Sequence, residues 1–142
     1  MKNIDVSELI ERYKSGERNF KGANLIGTYL NEVNLSGVNL QGASLSEVDL
    51  SRANLKGANL TEASLNGANL SGANLSEANL CGANLYQAKL TGASLDKALL
   101  KMADLIDADF TAASLEQANL YGAYMNGTRL NGAIMPDGKI HD

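Results

Sequence analysis

The sequence predicts an all-β solenoid, a chain that turns once every five residues and stacks its turns on one shared core. Three observations predict it. Every fifth residue from Phe20 to Met135 is large and apolar, twenty of them Leu and the others Phe20, Phe110, Met125 and Met135, over 24 consecutive positions without a slip. Two residues before each stands a small one, Ala at eighteen positions, Val at Val33, Val38 and Val48, Thr at Thr28 and Thr128, with Arg18 as the single exception. Two residues after it, glycine recurs at twelve places, among them Gly22, Gly57, Gly92 and Gly132.

A period of five suits neither common element. On a helix each residue advances about 100°, so the leucines would drift over all faces. In a straight strand side chains alternate, and an odd repeat would send successive leucines to opposite sides. The chain must therefore turn once per repeat, with each large residue pointing to a common axis and stacked turns pairing their backbones. Glycine at the corners accepts the turn without steric cost. Asn, Asp or Ser precedes the central apolar residue in 18 of the 24 units, as at Asn54, Asn59 and Asn74, and such side chains bond readily to nearby backbone. Ala as the second inward residue keeps the interior from overfilling.

The runs Ala53-Asn54-Leu55-Lys56-Gly57 and Ala58-Asn59-Leu60-Thr61-Glu62 resemble the pentapeptide-repeat family, and the likeness covers about residues 18–137. The resemblance implies a right-handed, quadrilateral parallel β-helix with four units per coil. Six coils follow for 24 units, a stack of about 29 Å at sheet spacing.

The ends need separate treatment, because a solenoid exposes its core there. Residues 1–17 are expected to form a helical cap, 18–137 the repeat body and 138–142 a tail. Asp5-Val6-Ser7-Glu8 resembles a capping box, Leu9, Ile10 and Tyr13 make an apolar stripe, and Gly16 is placed to end the helix. The segment from Glu11 to Phe20 is similar to the entry sequence of cyanobacterial family members, including a regulator of heterocyst differentiation. At the other end, Pro136-Asp137-Gly138 is a turn signal followed by four residues. Met125 and Met135 replace Leu in the last units, and adaptable Met is common at interaction surfaces. A weak homodimer through this end is one expectation; a tail folded across it is the other.

The bulk properties exclude several function classes. A net charge of −4 lacks the basic stripe of a nucleic-acid binder. No apolar run is long enough to span a membrane, and no leader-like segment begins the chain, so a cytoplasmic protein is expected. His141 is the only histidine and Cys81 the only cysteine, which leaves no His-based triad, multi-His metal site or disulfide. Phosphate-loop and dinucleotide motifs are absent. Asp104, Asp107 and Asp109 lie on a turning coil and need not converge on an ion, while Lys89, Asp109 and Arg129 share a column at twenty-residue spacing. No enzyme activity, metal or cofactor is expected.

Function is then sought where outward positions break the polar rule. Leu99 stands where Asn is usual, Met102 replaces a corner residue, and Ile106 directly follows its central Leu. Tyr86, Tyr121 and Tyr124 are outward as well. In a four-sided register these six fall on two adjoining sides, and exposed patches of this kind mark protein contacts. The expected function is a non-enzymatic protein-interaction or scaffold module, with an unidentified protein partner and a regulatory role in a cyanobacterium. The alternative is a DNA mimic acting on DNA gyrase, which requires concentrated negative charge; the residue before the central Leu is instead mostly Asn.

Overall fold

The chain turns one large side chain inward every five residues, and it closes on itself after four such units. In the computed structural model, which describes residues 2–142, parallel bridges join residues twenty apart, as from Asn39 to Asn59, Asn59 to Asn79 and Asn79 to Leu99. Twenty residues therefore make one coil. The bridged residues form four columns: Asn19 to Asn119, Asn24 to Tyr124, Tyr29 to Arg129 and Asn34 to Ile134. The sides carrying them are called first to fourth in that order. Each side pairs through a single residue, too short to count as an extended strand.

The repeat around Leu60 shows how five residues satisfy five backbone N–H groups. Ala58 donates across the corner to the Leu55 carbonyl (3.0 Å), and Asn59 donates to Val38 in the preceding coil (2.8 Å). Leu60 and Glu62 donate to Asn79 (2.7 Å) and Cys81 (3.0 Å) in the following coil. The remaining N–H, on Thr61, is taken by the Asn59 side-chain oxygen at 3.0 Å. Asn or Asp before the central Leu is thus the acceptor for the one donor that stacking leaves over.

Every corner from Gly22 to Gly132 lies at φ between +57° and +73°, and eleven of these corners are not glycine. Inside, the central residues from Leu25 to Leu115 are at most 1 % exposed. The alanines beside them from Ala43 to Ala113 are equally buried, because a methyl fills the space that the neighbouring Leu leaves at native packing density.

The N-terminal segment consists of β1 (Lys2–Asn3) and α1 (Val6–Lys14). Met1, the first residue of the expected segment 1–17, lies outside the described residues. Asp5 starts α1, its carboxylate accepting the Glu8 N–H at 2.8 Å. The reciprocal half of the capping box does not form, since Glu8 pairs instead with Arg12 at 3.0 Å. The strand β1 pairs in parallel with β2 (Ala23–Asn24), extending the second column below the first coil. Leu9 joins the core of the first coil, and the Tyr13 hydroxyl donates to the Ser36 carbonyl at 2.6 Å. Arg18, the exception among the small residues, places its guanidinium 3.7 Å from the Tyr13 ring centre.

The tail closes one side only. Ile140 bridges Ile134 antiparallel, and the His141 N–H donates to the Ala133 carbonyl at 2.8 Å. Leu120, Met125, Leu130 and Met135, central residues of the last units, remain only partly buried. The N–H groups of Leu120, Gly122, Met125, Gly127 and Leu130 have no acceptor among the described residues. Among those residues no helix is long and apolar enough to cross a membrane.

Candidate protein-interaction surface

Outward positions of each repeat are the residues flanking the central Leu and the corner residue beyond them. Small polar side chains suit these positions, because the one before the Leu must accept a backbone N–H and the others face water. Departures from that rule carry the candidate site.

Tyr86 and Ile106 occupy one column on the second side, each directly after its central residue. Tyr124 stands on the same side, bridged to Asp104. Met102 turns the corner between the first and second sides at φ +61°. Its sulfur lies over Gly122, so that a Cβ on that glycine would collide with it. Tyr121 precedes this corner in the next coil. Leu99 sits at the far edge of the first side, bridged to Asn79 and Asn119. The expected set is therefore distributed about one edge of the prism, with Leu99 outlying.

Exposure separates the members. Tyr121 is 74 % exposed, Tyr124 54 % and Met102 53 %, while Tyr86 and Leu99 are each 40 % exposed. Ile106 is half-buried. Leu99 also abandons the local hydrogen bond: the Asn79 side chain accepts the Cys81 N–H at 3.0 Å, and a leucine side chain has no oxygen to offer the Lys101 N–H.

Three exposed apolar residues escaped the sequence reading: Ile26, Tyr29 and Ile140, at 54 %, 76 % and 71 % exposure. Ile26 stands in the same column as Tyr86 and Ile106 and breaks the same rule, so its signal was present. Tyr29 replaces an Asn-type residue, as Leu99 does. Ile140 follows the last repeat, where no periodicity marks it.

Several charged groups elsewhere are engaged. On the third side Arg129 approaches Asp109 at 4.0 Å. The Asp109 carboxyl is held below the usual carboxylate range chiefly by the Thr111 hydroxyl (2.5 Å) and backbone N–H (2.9 Å), with Arg129 and Lys89 adding less. Asp49 is lowered in the same way by Ser51. Asp104 lies on the second side, Asp109 on the third and Asp107 at the corner between them, so the three diverge. Among the described residues no group of three His, Cys, Asp or Glu is placed to hold a metal ion. Cys81 is a free thiol, half-buried on the first side.

The comparisons with known proteins agree with this geometry. The family model described as pentapeptide repeats matches residues 19–57, 58–96 and 103–136. No curated protein sequence matches the chain. Among solved structures, the pentapeptide repeat protein Rfr23 from the cyanobacterium Cyanothece 51142 is 27 % identical at a TM-score of 0.66, over 97 % of this chain and 100 % of that one. A pentapeptide repeat protein of the Arabidopsis thaliana thylakoid lumen is 30 % identical at 0.56, over 83 % of this chain and 72 % of its own. QnrB1, a plasmid-mediated fluoroquinolone resistance protein, shares the fold at 21 % identity and a TM-score of 0.53, over 94 % and 68 % of the two chains. With its repeats matched over most of their length and its coils bridged every twenty residues, the chain belongs to the pentapeptide-repeat family of right-handed quadrilateral β-helices.

Proposed function

We propose that the protein is a non-enzymatic interaction or scaffold module that holds a partner protein along the edge between its first and second sides. The carrying observation is the exposure of Met102, Tyr121 and Tyr124 beside Tyr86 and Ile106, at positions where the repeat elsewhere places mostly polar residues or Gly. All five side chains lie outside the buried Leu and Ala core. Residues that break a local rule without a structural return are where function is sought. A regulatory role in a cyanobacterium is part of the reading, supported by the end-to-end likeness to a cyanobacterial relative.

The test is the triple variant Leu99→Asn, Met102→Asn and Ile106→Ser, assayed by partner capture from the native host alongside thermal melting. Capture should be lost while the melting midpoint moves by only a few degrees. Unchanged capture would sink the interaction reading.

We read the 24 repeats as six coils with α1 as their N-terminal cap, and the partly buried Leu120, Met125, Leu130 and Met135 as a second contact surface that supports a weak homodimer. Light scattering over a concentration series checks the latter, and a monomer throughout would remove it. The cytoplasm is the proposed compartment; fractionation that finds the protein in another compartment would overturn it. A DNA mimic acting on gyrase is less well supported, because Lys89 and Arg129 interrupt the third column and the likeness to QnrB1 speaks to fold alone.

A further inference from the structure

Charge is distributed unevenly among the four sides. In the stacked coils the second side and its two bordering corner rows carry Glu47, Glu62, Asp104 and Asp107, and no Lys, Arg or His. Those carboxylates match in number the net charge of −4 of the whole chain. None of them forms an ion pair among the described residues, whereas Glu32 meets Arg52 at 3.4 Å, Glu77 meets Lys56 at 3.8 Å and Asp109 meets Arg129 at 4.0 Å on the other sides. The same side presents Tyr86 and Ile106 stacked in one column, with Ile26 set apart from them in that column by Ser46 and Asn66, Tyr124 beside it and Met102 at its corner. Asp104 stands two residues from Ile106, about 7 Å away along an extended chain.

We infer that the second side docks a basic, amphipathic segment of a partner protein, whose apolar side chains lie on Tyr86, Ile106 and Tyr124 and whose Lys or Arg side chains reach Glu62, Asp104, Asp107 and Glu47. This deepens the interaction reading above and rests on it. The apolar ladder supplies the contact area, and the unpaired carboxylates decide the sign of the partner. An acidic or uncharged partner would leave the side's charges desolvated without a counter-charge, while a basic one is steered in and fixed in register. The partner's cations would find no competing Lys or Arg on this side.

The test uses a fluorescein-labelled peptide of repeated Lys-Leu-Leu-Lys units, with Glu-Leu-Leu-Glu and Lys-Ser-Ser-Lys peptides as controls, measured by fluorescence anisotropy. One variant neutralises the second side: Glu47→Gln, Glu62→Gln, Asp104→Asn and Asp107→Asn. Asn at position 104 still accepts the Ile106 N–H that Asp104 now takes at 3.0 Å, and Gln and Asn tolerate the positive-φ corners, so the coil survives. A second variant makes the same change in net charge on the fourth side: Glu77→Gln, Asp96→Asn, Glu116→Gln and Asp137→Asn. The Lys-Leu peptide should bind and both controls should not; the second-side variant should weaken it at least about fivefold and the fourth-side variant less than about twofold. Tyr86→Ser with Ile106→Ser should weaken it as well.

Equal weakening by the two charge variants, or equal binding of the Glu-Leu peptide, overturns the inference. Host-partner capture that survives second-side neutralisation but is lost in the Leu99, Met102 and Ile106 variant overturns it too, while leaving the interaction reading standing. Capture indifferent to both variants overturns both.

Discussion

Replacing Gly57 by Ala isolates the backbone cost of turning a corner. Gly57 lies at φ +69°, and a Cβ built there meets nothing within 4 Å, so packing contributes neither gain nor clash. Holding an L-residue in the left-handed region costs about 1–2 kcal/mol. Removing glycine's freedom from the unfolded chain returns about 0.4–1 kcal/mol. Gly57→Ala should therefore destabilise by about 0.8 kcal/mol at mid-range and by no more than about 1.6 kcal/mol, a fall of a few degrees in melting midpoint for a domain of this size. The reciprocal change tests the same physics with the opposite sign. Ala112 already sits at φ +61° with a methyl that faces solvent, so Ala112→Gly should stabilise by a similar amount. Thermal and urea unfolding of the two variants, followed by circular dichroism, measures both. A Gly57→Ala protein as stable as the parent, or an Ala112→Gly protein less stable, would refute the claim that the corners carry conformational strain.

Three further outcomes are expected. Asn59→Ala leaves the Thr61 N–H and hydroxyl without the oxygen they now share at 3.0 and 2.6 Å, and should cost about 1–2 kcal/mol in urea unfolding. Leu75→Ala, at a fully buried site, should cost about 2–5 kcal/mol, whereas Leu130→Ala at the open end should cost less than half as much in the same assay. Asp49 and Asp109 have folded pKa values below the ordinary range, so the unfolded chain binds more protons in the interval between the two values. Their stabilisation is complete above the unfolded value of about 3.9 and is lost as pH falls through the lowered folded value. Asp49→Asn with Asp109→Asn should accordingly flatten the loss of stability as pH falls from about 4 through the lowered folded values; an unchanged acid slope there would count against this assignment.

Leu75 and Ala73 show what a strict period makes legible: inward positions recur by chain geometry alone, and each is buried as its place in the repeat requires. The turning of the chain followed from the same period, whereas the closure after four units came only from the family resemblance. The bridge from Asn59 to Asn79 depends on coil circumference, which no five-residue window contains. The backbone of Met102 and Asp107 was equally opaque, since nothing local shows that a long side chain occupies a left-handed corner. Stacking imposes that conformation on it, and the Leu100 and Leu105 turns hold it there. For the candidate surface, Tyr86, Met102, Ile106, Tyr121 and Tyr124 were legible as departures from a polar rule. Their gathering about one edge required the coil register. Ile26 shows that the rule reaches into the N-terminal half as well, and Ile140 that it fails once the repeat ends.

The stacking bonds have a direction as well as a number. Of the three N–H groups that a repeat such as that of Leu60 sends between coils, Leu60 and Glu62 point toward the C-terminal end and only Asn59 points back. Ordinary sheets nearly cancel their peptide dipoles; here one oriented amide per repeat is left over, and the β-helix as a whole is polar. Its positive pole is the open end where Leu120, Gly122, Met125, Gly127 and Leu130 present unshared donors. Two copies meeting at that end bring like poles together. Their attraction must then come from Leu and Met side chains rather than strand pairing, and screening the poles with salt should tighten such a dimer rather than loosen it.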